Sequence, residues 1–363
     1  MCNADTTGYD PNRYIKREGI EEREPLNQTA FRQAERLFKS KSTCPNPVGN
    51  SLLIDFSNLS SLDSSVSQLL EQFTVAPSSK ETFCIKKMNE PVIGYRIKGY
   101  DGFVHFPSLL SLQEQKEMLV ESFTKDMNKP NMSNLDAVYD LPFDSLWEQY
   151  DNAAMIELKR KKTVSANLYG ETEEKEQGEK MMTAEQGEKM MTAEQVFRKL
   201  RWVTIGVQYD WSTKEYMKDD KSPTFPAPLS FRSIEIAKHL LACPNYSPQA
   251  GIINYYQSKD TLTGHVDKSE ENMSAPLISY SFGSACVFLL GGKTREDPVV
   301  AVMLRSGDVC VLSEQARFFF HGVPRIISEE NPLLSEGEGG EQWSKVRELM
   351  KDARVNINVR QVK

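Results

Sequence analysis

The second half of the chain alternates apolar and polar residues in short runs that are separated by turn residues. Such alternation is typical of strands that bury one face, and many short strands favour a β-sandwich or a small barrel. Turn signals such as Gly291-Gly292 and Arg305-Ser-Gly-Asp308 lie between successive strands. Strands are predicted over 97–107, 202–211, 251–257, 277–283, 285–290, 299–305, 309–313, 317–321 and 353–362.

Helical spacing of apolar residues is found mainly before residue 165. Helices are predicted over 29–39, 111–123, 144–162 and 229–243. The sequence therefore predicts a mainly β domain with supporting helices over 96–363. An N-terminal extension over 1–95, partly helical and partly disordered, is predicted to precede it.

Two segments inside the predicted domain have the composition of insertions. A nonapeptide occurs twice in tandem, over 178–186 and 187–195, and the unit is too short and too few in copies for a solenoid. We expect a disordered insertion near 165–195. An acidic, glycine-rich stretch near 328–345 is expected to form a surface loop.

The amino-acid composition argues against a membrane-spanning protein, a disulfide-bonded protein and a protein that coats nucleic acid. No run of about 18 apolar residues exists, so no membrane span is expected. Six scattered cysteines suit reduced thiols in an intracellular protein better than a disulfide framework. The net charge of −7 argues against a protein that coats nucleic acid non-specifically, while leaving room for a local basic patch.

Two of the four histidines stand in contexts that suit a metal site. His265 and Asp267 are two residues apart in an extended segment, so their side chains project to the same side. His321 follows the aromatic run 318–320. Two imidazoles and one carboxylate on one face of an octahedral metal leave adjacent positions open, which is the arrangement that ferrous oxygenases require.

The last predicted strand adds a second feature. Arg354, Asn356, Asn358 and Arg360 share one face, opposite an apolar face. An ordinary solvent-facing strand would give the same alternation. Two arginines and two amides without an acidic residue nevertheless suit a pocket for a dicarboxylate, because guanidinium pairs with carboxylate in a bidentate, charge-assisted way.

In order and spacing these segments resemble the AlkB family of nucleic-acid dioxygenases. The resemblance rests on Asn254-x-Tyr256, His265-x-Asp267, His321 and Arg354-x-Asn356-x-x-x-Arg360. The AlkB homologue 1 branch is the most similar, through segments such as Lys98-Gly-Tyr-Asp-Gly-Phe and Gly251-Ile-Ile-Asn-Tyr-Tyr. The resemblance covers roughly 95–363 and the basic helix near 31–39.

That resemblance implies a double-stranded β-helix (jelly roll) core with supporting helices. It implies that Fe(II) is bound by His265, Asp267 and His321, with 2-oxoglutarate and O2 as cosubstrates. By the same resemblance, Arg354 and Tyr256 hold the distal carboxylate of 2-oxoglutarate. The residues expected to line the pocket nearer the metal are Asn254, Asn356 and Arg360.

The resemblance further implies oxidative demethylation of an N-methylated base in DNA or tRNA, on a single strand or on a base taken out of the stack. Trp202 and Tyr209 match aromatic positions of the family's nucleotide-recognition lid. Two alternatives stay open: a protein-directed oxygenase with the same metal site, and an inactive scaffold. Without a recognisable targeting signal the expected compartment is the nucleus, with mitochondrion or cytoplasm as alternatives.

Overall fold

The structure is a computed structural model, and it describes residues 28–39, 44, 47, 52–77, 82–161, 189–210, 213, 215–217, 222–328, 330–335 and 340–363. The strands are β1 (Leu53–Ile54), β2 (Leu70–Val75), β3 (Val92–Ile97), β4 (Phe103–Phe106), β5 (Met132–Ser133), β6 (Tyr139–Asp140), β7 (Met155–Arg160), β8 (Lys189–Thr192), β9 (Trp202–Gly206), β10 (Tyr209–Asp210), β11 (Glu215–Tyr216), β12 (Ala250–Tyr256), β13 (Leu262–His265), β14 (Leu277–Gly283), β15 (Ala285–Leu290), β16 (Val300–Leu304), β17 (Val309–Leu312), β18 (His321–Ile327) and β19 (Arg354–Arg360). The α-helices are α1 (Ala30–Lys39), α2 (Ser64–Ser67), α3 (Leu112–Glu121), α4 (Asn134–Val138), α5 (Leu146–Asp151), α6 (Ala193–Phe197), α7 (Ala227–Glu235) and α8 (Gly340–Leu349).

Two largely antiparallel sheets form the core. The smaller has five strands in the order β1-β16-β15-β18-β13. The larger has nine strands in the order β2-β3-β4-β17-β14-β19-β12-β9-β5. An apolar cluster with members from both sheets, including Phe288 and Leu312, fills the space between them. This agrees with the sandwich or small barrel that the strand pattern predicted, and it is the jelly-roll arrangement that the family resemblance implied.

Helices cover the outer face of the larger sheet. The predicted alternation of β19 is confirmed, since Val355, Ile357 and Val359 belong to the apolar cluster that joins this sheet to the helices. Strand β14 is buried along its whole length, as expected for a strand covered on both faces. The opposite face of β19 therefore points to the space between the sheets, where the candidate site lies.

Helix α1 covers the outer face of the smaller sheet. Its Phe31 and Phe38 are buried with Val287 and Leu289 of β15. The helical spacing predicted over 29–39 is thus confirmed, with a helix over Ala30–Lys39. Helix α1 is consequently part of the packed structure next to the jelly roll.

The strand predicted over 97–107 is confirmed only for Phe103–Phe106, after the turn that follows β3, and two other predicted elements were wrong. The predicted helix 144–162 is the short helix α5 followed by strand β7, because Asn152 and Ala153, the latter with a φ of 49°, end the helix after two turns. The predicted strand 317–321 is the end of a 3-10 turn over Glu314–Phe318, and β18 begins only at His321. A short apolar run such as 318–320 has no period that distinguishes the two.

The expected domain boundary near residue 95 falls inside β3, and strands before it pair in both sheets. Most of the expected insertion near 165–195 lies outside the described residues. Within the expected acidic loop, a 3-10 turn occupies Pro332–Ser335 and α8 begins at Gly340. In the described part of the chain no helix is long and apolar enough to cross a membrane. Among the cysteines described there, Cys84, Cys243, Cys286 and Cys310 have free thiols.

Candidate metal and cosubstrate site

Neighbouring strands β13 and β18 of the smaller sheet, with the turn after β13, bring His265, Asp267 and His321 together at one end of the barrel. His265 ends β13 and is the register partner of His321, the first residue of β18. His265 Nε2 lies 3.8 Å from Asp267 Oδ1, and His321 Nε2 lies 3.7 Å from Asp267 Oδ2. One donor atom from each residue falls within 4.8 Å of the others, which is close enough for all three to bind one ion.

Hydrogen bonds orient both imidazoles toward that common point. His265 Nδ1 lies 3.0 Å from the carbonyl oxygen of Thr263, and His321 Nδ1 lies 3.1 Å from that of Phe319. A carbonyl only accepts, so each Nδ1 carries the proton and each Nε2 keeps its lone pair. Two neutral imidazole nitrogens and one carboxylate fit the ferrous ion that the sequence predicted.

The surroundings of His265 and Asp267 favour the protonation states that bind a metal ion, a neutral imidazole and an ionised carboxylate. Burial, reinforced by the neighbouring imidazole of His321, lowers the pKa of His265 to about 4, so this ring is neutral near pH 7. Burial alone would raise the pKa of Asp267. The nearby guanidinium of Arg360, together with the imidazoles of His321 and His265, outweighs that effect and holds the pKa of Asp267 well below its usual range. The carboxylate is therefore ionised wherever the protein is folded near neutrality.

A buried arginine lies in the same cavity as the metal ligands. Arg354 is only 1% exposed, and its Nη2 donates to Ser281 Oγ at 2.9 Å. Its Nε has no hydrogen-bond partner among the described residues, and none of their carboxylates pairs with the guanidinium. An uncompensated buried cation is unfavourable, so this position fits an anionic ligand such as a carboxylate of 2-oxoglutarate.

Neutral polar groups complete the cavity around Arg354. Tyr256, Asn356 and Asn358 line it together with the metal ligands. Burial raises the pKa of Tyr256, so its phenol stays protonated and can donate to an anion. Asn356 Nδ2 is held by Ser279 Oγ at 2.8 Å and by the Tyr280 carbonyl at 2.9 Å. The cavity thus offers one cation and several fixed dipoles.

Two residues expected in the cosubstrate pocket have other contacts. Asn254 does not line the cavity wall and instead approaches Asn356, with Nδ2 and Oδ1 3.4 Å apart. Arg360 donates from Nη2 to Asp267 Oδ2 at 2.7 Å. Arg360 is therefore placed as a partner of a metal ligand, and its reach toward the cosubstrate stays a prediction.

The two predicted substrate residues lie on different strands, Trp202 on β9 and Tyr209 on β10. Trp202 is half-buried and is the register partner of Asn254, which in turn opposes Asn356, so all three project to the metal side of the larger sheet. Tyr209 belongs to the hairpin β10–β11, and its hydroxyl lies 3.0 Å from Ser269 Oγ, just beyond Asp267.

Sequence reasoning missed a buried charge network behind Asp267. Glu270 pairs with Arg317 at 3.0 Å and with Arg360 at 3.2 Å, and its Oε1 accepts from the Tyr216 hydroxyl at 3.2 Å. Arg360 Nη1 also donates to the Tyr216 oxygen at 3.1 Å. The sequence indicates this network only through Glu270, an acidic residue three positions after Asp267. Its arginine partners come from distant segments that no local pattern connects.

Comparisons with known proteins agree with this geometry. A model described as the 2OG-Fe(II) oxygenase superfamily matches residues 153–360, a range that contains every metal and cosubstrate residue named above. The chain is 34% identical over 354 residues to the "DNA N(6)-methyladenine demethylase ALKBH1A" of Arabidopsis thaliana, covering 93% of this chain and 96% of that protein.

Two further relatives are similar over most of the chain. The "tRNA demethylase abh1" of Schizosaccharomyces pombe is 35% identical over 272 residues, covering 72% of this chain and 81% of that protein. The "Nucleic acid dioxygenase ALKBH1" of Mus musculus is 32% identical over 297 residues, covering 75% and 68% respectively.

Proposed function

The chain belongs to the 2-oxoglutarate- and iron(II)-dependent oxygenase superfamily, in its AlkB homologue 1 branch, and from this we propose that it demethylates N-methylated bases, such as methyladenine, in DNA or tRNA. One observation carries the proposal. The His265, Asp267 and His321 donors open into the same cavity as the guanidinium of Arg354, which has no carboxylate partner among the described residues. Metal and cosubstrate can therefore meet at one point, on the side of the larger sheet to which Trp202 also projects.

Different residues of the site would bind the metal and the cosubstrate. His265, Asp267 and His321 would hold Fe(II), and Arg354 with Tyr256 would hold 2-oxoglutarate. When bound, iron, 2-oxoglutarate and O2 supply the oxidation: one oxygen atom enters succinate as CO2 leaves, and the other hydroxylates the N-methyl group. The resulting N–CH2OH releases formaldehyde and leaves N–H. The apolar lining of the cavity, including Leu277 and Phe288, keeps competing water away from the reacting groups.

The hairpin β10–β11 supports a nucleic-acid substrate. Tyr209 and Tyr216 form an edge-to-face pair with ring centroids 5.2 Å apart, next to the turn that carries Asp267. A base must leave its stack before its methyl group can reach a buried metal, and aromatic rings favour such an extruded base. We therefore assign this hairpin and Trp202 to the substrate side of the site.

A substrate panel tests the proposal. Purified protein would be incubated with Fe(II), 2-oxoglutarate and either methylated single-stranded DNA, methylated tRNA or methylated histone peptides, and formaldehyde and succinate would be measured. With at least one nucleic acid we expect formaldehyde in an amount equal to the succinate formed above the substrate-free background, and neither product with the Asp267→Ala variant. Formaldehyde from peptides alone would replace this proposal with the protein-directed alternative. Metal and cosubstrate binding without any product would favour the inactive scaffold.

A further inference from the structure

Helix α1 contacts the metal centre from outside the barrel. Phe31 is completely buried under the strand end that carries His265. A Cβ atom built on Gly264 would overlap the Phe31 ring, so glycine is required for this approach. The helix therefore sits against the backbone of the residue directly before a metal ligand.

Side chains hold both backbone polar groups of Gly264. Its N–H donates to Glu35 Oε1 at 2.7 Å, and its carbonyl accepts from Arg295 Nη2 at 2.7 Å. The ladder between β13 and β18 is irregular between Leu262 and His265, so regular strand pairing does not fix this segment. Glu35 is only 5% exposed, which makes its hydrogen bond to the backbone stronger than one exposed to water.

The same cluster reaches the residue before the second histidine. The guanidinium carbon of Arg295 lies 4.7 Å from the ring centroid of Phe320, which directly precedes His321. The Phe31 and Phe320 rings are 6.1 Å apart, and the Phe31 N–H donates to the Arg295 carbonyl at 2.9 Å. Contacts of α1 thus converge on the residue before each histidine ligand.

We propose that Glu35 is a positioning residue for the iron centre: through Gly264 it fixes the backbone from which His265 and Asp267 extend, and so sets metal affinity. Glu35 touches neither metal nor substrate. The inference rests on the proposed function only in that ferrous iron binds here. It holds whichever polymer is demethylated.

The carboxylate of Glu35 offers a way to separate its two contacts. Oε1 accepts from Gly264, whereas Oε2 pairs with Arg32 Nη1 at 2.8 Å. A Glu35→Gln side chain retains an oxygen acceptor for Gly264, and Glu35→Ala retains none. Arg32→Ala removes the ion pair and leaves the Gly264 contact, so it is the matched control on the same helix.

Mn(II) affinity of the full chain, measured by electron paramagnetic resonance of the free ion, tests the proposal. Outer partners of metal ligands typically contribute 10- to 100-fold in affinity, so we expect Glu35→Ala to weaken Mn(II) binding by about 10-fold or more. Glu35→Gln should recover most of the loss, and Arg32→Ala should stay within about 3-fold of wild type. The rise in melting temperature on adding Mn(II) should shrink in Glu35→Ala alone.

A purely structural role for Glu35 gives a different result. Glu35→Ala would then melt at a lower temperature without metal yet bind Mn(II) as tightly as wild type, and the proposal would be overturned. If Glu35→Ala does not fold, Glu35→Asp decides, because it withdraws the acceptor by one methylene and keeps the charge: unchanged affinity would overturn the proposal. Wild-type protein that binds Mn(II) but demethylates nothing would refute the proposed function and leave this inference standing.

Discussion

Arg360 and Asp267 form an ion pair at 2.7 Å that joins the two sheets at the metal centre. Arg360 ends β19 of the larger sheet, whereas Asp267 follows β13 of the smaller one. Glu270 and Tyr216 hold the other side of the same guanidinium. One carboxylate ligand is therefore kept ionised and oriented by a charge that belongs to the opposite wall of the barrel.

Removing that charge should move the acid limit of metal binding. Arg360 lowers the pKa of both Asp267 and His265, so Arg360→Met lets protons compete with the metal at higher pH. We expect the pH of half-maximal Mn(II) binding to rise by about one unit or more. Arg360→Lys, which keeps a positive charge, should shift it less. An acid limb that coincides in all three proteins would contradict the electrostatic role assigned to Arg360.

Arg354 should govern affinity for the cosubstrate. A charge-assisted hydrogen bond contributes about 1.5–3 kcal/mol, so Arg354→Met should raise the KM for 2-oxoglutarate by about 10- to 150-fold. The metal affinity should change little, since Arg354 contacts none of the three ligands. Arg96→Met, at a position on β3 away from the cavity, is the control. A KM that stays at the wild-type value would remove Arg354 from the cosubstrate site.

Trp202 should affect the nucleic-acid substrate and leave the cosubstrate unaffected. Stacking of a base on an aromatic ring contributes about 1–3 kcal/mol, so Trp202→Ala should lower kcat/KM for a methylated oligonucleotide by about 5- to 150-fold. Consumption of 2-oxoglutarate without substrate should be unchanged, and Trp202→Phe should retain much of the activity. Equal loss in both reactions would indicate that Trp202 only supports the fold.

The alternation of residues along a strand predicted some features of the candidate site and not others. Alternation placed Arg354, Asn356, Asn358 and Arg360 on one face, and spacing of two placed His265 and Asp267 together. Periodicity gives the face of a side chain and says nothing of its depth along the barrel. The sequence therefore could not show whether Arg360 reaches the cosubstrate or pairs with Asp267.

The sequence also could not predict contacts between residues that are far apart along the chain. Glu35 contacts Gly264 across 229 residues of chain, and Glu270 meets Arg317 across 47. Such pairs depend on how helix α1 and the turn after β13 pack in three dimensions. Helix α1 itself was predictable, because its apolar residues repeat at helical spacing. Its position against the metal centre was not, because an apolar face does not specify its partner.

The carboxyl of Asp126 should make stability depend on pH. Burial, with a contribution from Glu121, raises the pKa of Asp126 from 3.8 to about 7. Between these values the folded state binds more protons than the unfolded state, so the free energy of unfolding falls as pH rises. Asp126→Asn should be more stable than wild type at pH 8, by up to about 4 kcal/mol.

Urea unfolding at pH 8 and near pH 4 measures this difference. The difference in free energy of unfolding between Asp126→Asn and wild type should shrink toward pH 4. At that pH the Asp126 carboxyl of the folded wild-type protein is protonated and therefore uncharged, like the asparagine amide. Asp144→Asn is the control, because the Asp144 side chain is 89% exposed. An advantage that is the same at both pH values would show that Asp126 acts through packing rather than through its proton.

A crystal structure of the protein grown without oxygen, with Mn(II) and 2-oxoglutarate, tests the central claim most directly. We predict one metal ion bound by the Nε2 atoms of His265 and His321 and by the Asp267 carboxylate, with the distal carboxylate of 2-oxoglutarate on Arg354. A metal ion bound elsewhere, or a cosubstrate that leaves the Arg354 guanidinium without a carboxylate, would contradict the account.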